Sequence, residues 1–273
     1  MAIITISRGT LSGGAELARC LGAKLNSQIV SREDLVEQAS RLYGIEEANL
    51  LRGLGRGPRF LERFRIDRRI YLTAARATLC RLVMGDRVVY HGNAGHLLLG
   101  GVRHVIRVRI VAPFAQRVEA ARREYGLTEK EAEEYVRQMD DERRSWTRFL
   151  YGVEWGDPAL YDLVINLEKV CCDAACEMVS LLAASPDFEA TGEDRKRLEA
   201  MFLQAHVKAK LYLNPRIAAA ADGIEVLLED GTVRLRGLVP STGMLQEVIR
   251  TVESLPEVEE VDTEWLGVRE LSR

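Results

Sequence analysis

With 273 residues, a hydrophobic fraction of 47% and 38 basic against 41 acidic side chains, the chain has enough apolar sequence for one large domain or two ordinary ones. A net charge of -3 gives the whole molecule no excess positive potential, which argues against nucleic acid or an anionic membrane as partners. No run approaches the roughly 20 apolar residues of a membrane span, and no signal peptide is visible, so the expected setting is the cytoplasm. Cys20, Cys80, Cys171, Cys172 and Cys176 form no C-x-x-C pair and have no histidine at ligand spacing, and they are expected as reduced, half-buried small residues on helices.

Ile3 to Ile6 is a short apolar run bounded by Ser7-Arg8-Gly9, the pattern of a buried parallel strand. A glycine-rich turn follows, then a helix over Ala15 to Leu25 with Leu17, Ala18, Leu21 and Leu25 on one face. Glycines at a helix start expose backbone N–H groups that bind phosphate oxygens with help from the helix dipole. Gly9, Thr10, Ser12, Gly13, Gly14, Ala15 and Glu16 are therefore the candidate nucleotide-binding residues. Gly9 and Gly14 keep the G-x-x-x-x-G spacing of a phosphate loop, but Ala15 and Glu16 stand where that pattern continues into Lys and Ser or Thr.

Gln28 to Val30 reads as a second strand, and Ser31 as the N-cap of a helix with Glu33 and Asp34 in its first turn. Leu51 to Pro58, with Gly53, Gly55 and Gly57, reads as a flexible loop, and a long helix is expected after it. Arg59, Arg63, Arg65, Arg68, Arg69 and Arg76 make that segment basic, either as a solvated face or as a surface for an anionic ligand or partner. Val88-Val89-Tyr90 and Val105 to Val111 are further strands, the second ended by Pro113. Helices are expected over Phe114 to Tyr125 and Thr128 to Arg148, where Thr128 and Glu131 fit a capping box. Leu163 to Ile165 is a last strand of this part and Val170 to Ala184 its closing helix.

Ser185 to Arg197 is polar and reads as a boundary. Beyond it, Gly223 to Leu228 and Thr232 to Val239 alternate around Glu229-Asp230-Gly231, a hairpin signal, before a helix over Met244 to Leu255 and a strand over Val258 to Trp265. The expected fold is α/β, a P-loop three-layer parallel sheet with helices on both faces, plus a small C-terminal α+β module.

Ile4-Thr5-Ile6-Ser7-Arg8, Ser12-Gly13-Gly14, Ser31-Arg32-Glu33 and Val88-Val89-Tyr90-His91-Gly92 occur in that order, followed by Asp140-x-x-Arg143, Trp155-Gly156-Asp157-Pro158 and Tyr161 to Asn166. Over about residues 1 to 182 this series resembles the cytidylate kinase-like branch of the nucleoside monophosphate kinases. Val233 to Val239, the helix after it and Val258-Glu259-Glu260-Val261 resemble a BON domain, a small module of two helices on a three-stranded sheet. The expected division is a kinase-like domain over 1–184, a linker or helix over 185–204 and a BON-like domain over 205–273.

The resemblance implies ATP and Mg2+ as cofactors and phosphoryl transfer to a nucleoside monophosphate, CMP-like, or a related small acceptor. It makes Arg8, Arg143 and Arg117 the catalytic candidates, and Arg32, Gly92 and Asn93 the acceptor-binding ones, with Arg144 and Arg148 behind them. Ala15 replaces a Lys or Arg of the family, and Asn93 replaces an Arg that often follows the glycine at Gly92. These departures open a second reading, a catalytically impaired nucleotide-responsive protein that acts through its tail on a protein or small ligand. Asp140 and Asp157 are candidate metal or base contacts, and Asp157 is also suited to capping the turn before Pro158. Homo-oligomerisation is left open.

Overall fold

The computed structural model of the chain describes residues 2–55, 68–85, 87–92, 94–229 and 231–269. The expectations that fall on Asn93 and on the arginines of 56–67 lie outside the described residues.

Five strands, β1 (Ile3–Arg8), β2 (Gln28–Ser31), β3 (Val88–His91), β4 (Val105–Val111) and β5 (Leu163–Asn166), form one parallel sheet in the order β2-β3-β1-β4-β5. Thr5 of β1 stands opposite Tyr90 on one side and Arg107 on the other, so β1 is central. Alternation along β1 sorts the two faces. Ile4 and Ile6 pack with Leu17, Ala18 and Leu21 of α1 (Gly14–Leu25) and with Cys176 and Val179 of α8 (Cys172–Ala183). Ile3 faces the opposite layer, where α2 (Arg32–Tyr43), α4 (Arg68–Val83) and the first half of α9 (Gly192–Leu213) contribute Leu35, Leu79, Leu198 and Phe202. These are the strands and layers that the sequence patterning predicts.

Two expectations need correction. Cys20 on α1 and Cys176 on α8 form a disulfide, with Cα atoms 6.2 Å apart and 156 residues between them. Only the fold brings this pair together, so no local spacing signals it. Cys80, Cys171 and Cys172 are free, Cys80 buried in the other layer. The stretch read as a loop from Leu51 is helical as far as α3 (Glu47–Gly55) extends. Fully buried Leu50 anchors this helix and outweighs the glycine penalty of about 1 kcal/mol per residue. The helix α5 (Gly95–Leu98) is a single turn packed under β1. No helix among the described residues is long and apolar enough to cross a membrane.

A second sheet of three strands, β6 (Ile224–Glu229), β7 (Thr232–Val239) and β8 (Glu260–Val268), follows α9. β6 and β7 are antiparallel and form the expected hairpin, with Glu229 paired to Thr232 and Gly231 at φ +87°. β8 pairs with β7 in parallel, and α10 (Thr242–Glu253) packs Val248 and Val252 onto the sheet.

The helix α9 serves both cores. Leu198, Met201 and Phe202 belong to the first, Val207, Leu211 and Tyr212 to the second. Polar contacts fix the junction: Tyr43 Oη and His206 Nδ1 are 2.9 Å apart, and Arg81 pairs with Glu257 at 3.2 Å. Arg69 pairs with Asp222 of the tail and lies over the Tyr212 ring, so this arginine of the basic segment serves an internal contact.

Candidate functional site

β1, β2 and β3 all end at one edge of the sheet, and the chain leaves β1 and β3 toward opposite layers, the arrangement that opens a crevice in parallel α/β sheets. The Gly9 to Gly14 turn, Arg32 at the start of α2 and Gly92 after β3 meet there. Helices α6 (Phe114–Tyr125) and α7 (Glu129–Tyr151) form an antiparallel lid over the same edge, with the predicted capping box at Thr128 and Glu131.

A cavity of about 580 Å³ lies between the turn and the lid. Arg8, Thr10, Gly13, Gly14, Ala15, Glu16, Arg32, Gly92 and Arg143 line it, which brings together most of the residues that the sequence singles out. Gly13 caps α1 at φ +86° without any side-chain hydrogen bond, leaving first-turn backbone donors for a ligand. A Cβ on Gly14 would come within 2.5 Å of Arg8 Cδ, so only glycine lets Arg8 fold across the helix start.

The lid grips the turn at Thr10. Arg143 donates from Nη1 to Thr10 Oγ1 at 2.7 Å, Arg117 donates to the Thr10 carbonyl at 3.4 Å, and the Thr10 N–H donates to Asp140 at 3.4 Å. Arg117 also makes a two-pronged pair with Asp140, at 3.1 and 2.6 Å. Leu11 of the turn, at φ +57°, packs into the small core between α6 and α7.

Arg143 is half-buried, and its pKa is lowered to about 10, first by desolvation and then by the field of Arg8, with Arg32 and Arg117 adding to it and Asp140 opposing it. Nε of Arg143 and Nε of Arg32 are buried without a hydrogen-bond partner. Arg32 donates through Nη2 to the Leu51 carbonyl at 3.1 Å. Burial, and then Arg8, also lowers the pKa of His91 at the end of β3.

Other residues of the expected site have different places. Gly9 does not line the cavity; a Cβ there would lie 2.7 Å from Arg117 Nη1, so its smallness admits that guanidinium. The Ser12 hydroxyl turns inward to the Gly9 carbonyl at 3.0 Å. Arg117 is committed to Asp140 and Thr10, away from the cavity lining. Arg144 and Arg148 pair on the surface with Asp141 and Glu154. Asp157 accepts from the Ala159 N–H at 2.9 Å and caps the turn at Pro158.

Two features escape sequence reading. Trp155 Nε1 donates to Ser7 Oγ at 2.9 Å, and the Tyr161 hydroxyl donates to the Trp155 carbonyl at 2.8 Å, while Arg109 lies 4.2 Å above the Trp155 ring. This network supports the end of β1 from below. Tyr125 and Tyr135 also line the cavity on its lid side, and nothing in their spacing announces that they meet.

No curated protein matches the chain's sequence. Among solved structures, an uncharacterized protein from Eubacterium ventriosum ATCC 27560 is similar at 21% identity and a TM-score of 0.52, over 68% of this chain and 99% of that one. Shikimate kinase from Bacteroides thetaiotaomicron aligns at 12% identity and a TM-score of 0.42, over 66% of this chain and 97% of its own. TT1252 from Thermus thermophilus does so at 16% and 0.42, over 67% and 96%. Residues 3–169 match the model of the cytidylate kinase-like family, so the chain belongs to that family and this stretch has its kinase-like, nucleotide-binding fold.

Proposed function

We propose that the chain binds ATP at the start of α1 and transfers its terminal phosphoryl group to a small anionic acceptor, a CMP-like nucleoside monophosphate or a related compound. The observation that carries this reading is the convergence of Arg8, Arg32 and Arg143 on one cavity at a helix N-terminus, with Arg143 half-buried in the field of Arg8, Arg32 and Arg117. Guanidinium groups held close together against their mutual repulsion are stabilised by a polyanion, and their forks suit phosphate oxygens.

Phosphoryl transfer asks the protein for aligned positive charge and exclusion of water rather than for covalent chemistry. In this reading Arg8 and Arg143 hold the transferring group, Arg32 faces the acceptor, and the lid hairpin shields the reaction. Magnesium typically takes few protein ligands beside substrate phosphates. Glu16, exposed at the start of α1 and lining the cavity, fits that role, whereas both Asp140 oxygens accept from Arg117. Bound by Glu16 and the phosphates, the ion would neutralise charge on the transferring group.

The second reading is a nucleotide-responsive binding protein, and the Thr10 N–H donating to Asp140 favours it, because a lid carboxylate then takes a turn amide that phosphate would use. In either reading the protein works in the cytoplasm, and residues 205–273 act as a BON-like interaction module. The order of two helices around a three-stranded sheet supports that assignment.

Thermal unfolding with ATP, with and without magnesium, tests binding; a coupled assay with CMP and other acceptors tests transfer. A rise in Tm together with turnover supports the kinase. A rise without turnover on any acceptor supports the responsive protein, and no shift with any nucleotide refutes both.

A further inference from the structure

The cavity has two chemically different ends. At one, Arg8, Arg32 and Arg143 surround the start of α1; at the other, Tyr125 and Tyr135 stand beside Ala120, Met139 and Glu124. Tyr125 is the last residue of α6 and is 48% exposed. Its ring meets that of Tyr135 edge-on, with centroids 5.2 Å apart at 64°. Tyr135 is in turn packed into the small lid core with Val118, Ala121, Ala132 and Val136. An exposed ring held from behind by a second ring, at the wall of a cavity, offers a rigid flat surface at little entropic cost.

The lid also sets the distance between the ends. Tyr135, which holds Tyr125 from behind, lies eight residues before Arg143 on α7. At about 1.5 Å per residue the helix therefore separates the arginine end from the tyrosine end by roughly 12 Å. That span is comparable with the reach from the terminal phosphates to the base of an extended nucleoside triphosphate. Charge gives the ligand a direction: Glu124, beside Tyr125 in the chain, disfavours a second polyanionic group at the tyrosine end, whereas Arg8, Arg32 and Arg143 make the opposite end rich in guanidinium.

We infer that Tyr125, backed by Tyr135, is the stacking platform for the nucleotide's base, so that the ligand lies along the lid with its phosphates at Arg8 and Arg143. This rests on the nucleotide reading above and adds residues on α6 and α7 that bind base rather than phosphate.

The test compares ATP with inorganic tripolyphosphate, which carries the phosphates without a base, by calorimetric titration of the full chain. Tyr125→Ala should weaken ATP about 5- to 100-fold, the range of base–aromatic stacking, and tripolyphosphate less than about twofold. Tyr125→Phe, which keeps the ring, should bind both as the wild type does. An equal loss for both ligands, or none for ATP, overturns the platform. So does a wild type that binds tripolyphosphate as tightly as ATP, which would leave the phosphate site standing. A wild type that binds neither ligand overturns the nucleotide reading and the platform together.

Discussion

Arg143 on the lid helix and Thr10 in the glycine turn are hydrogen bonded at 2.7 Å, so the two walls of the candidate site are tied to each other by a residue that also points charge into the cavity. In the proposed reading Arg143 also donates to a phosphate oxygen of ATP, and a charge-assisted hydrogen bond contributes about 1.5–3 kcal/mol. Arg143→Ala should therefore weaken ATP roughly tenfold to a hundredfold in a titration. Arg144→Ala, which removes only a surface pair with Asp141, should leave affinity within about twofold. Equal effects from the two variants would show that Arg143 is no more than surface charge.

Gly14 and Ala15 make opposite predictions at adjacent positions. A side chain on Gly14 meets Arg8 within 2.5 Å, so Gly14→Asp should abolish the ATP-dependent rise in Tm while the unliganded protein still folds. Ala15 lines the cavity, and Ala15→Lys adds a cation where the phosphate-loop pattern has one. That variant should bind ATP more tightly than the wild type by about tenfold. Weaker binding by Ala15→Lys would mean that the arginines already occupy that space.

His96 gives a pH dependence with a definite sign. Its ring is buried against Tyr161, and desolvation, followed by Arg107 and Arg109, lowers its pKa to about 4 from the ordinary 6.5. The unfolded chain then takes the proton first as pH falls. Stability is fully present above about pH 6.5 and is lost toward pH 4, by up to about 3 kcal/mol from this residue. Lowered values at His91 and His206 act in the same direction. Tm measured from pH 7 to pH 5 should fall, and His96→Gln should flatten the slope; an unchanged slope would rule out the assignment.

The Cys20–Cys176 bond joins α1, which begins at the glycine turn, to α8. Cross-links that close long loops typically stabilise by about 2–4 kcal/mol. Reductant should lower the Tm of the wild type, and Cys20→Ser should have the lower Tm with or without reductant. A wild type indifferent to reductant would show that the bond is not formed in solution.

The parallel sheet was legible because β1 opens on an unbroken β-branched run, β3 is apolar over Val88 to Tyr90 and β4 alternates Val and Ile with Arg107 and Arg109, each with turn residues at its end, a signal contained within a few positions. The capping residues Ser31 and Thr128 were legible for the same reason, since a box needs only a spacing of three. The arginines converge as the motif order suggests for Arg8, Arg32 and Arg143, but not for Arg117. A lone arginine reads the same whether its partner is a ligand or Asp140, and that pair spans two helices. Gly9 is alike in this: the residue type announces close approach without naming what approaches, which is Arg117. Cys20 with Cys176, and Tyr125 with Tyr135, depend on helices docking side by side, which no local pattern encodes.

The helix α9 places Phe202 in one core and Leu211, less than three turns later, in the other, so one continuous helix is built into both. A cut at the polar stretch after α8 would strip Leu198, Met201 and Phe202 from the larger core. The tail also meets α4 through Arg69 and Asp222, and His206 of α9 meets Tyr43 at the end of α2, the helix that begins with Arg32 at the cavity. The tail is packed into the cavity-bearing domain through a shared helix, not merely strung after it.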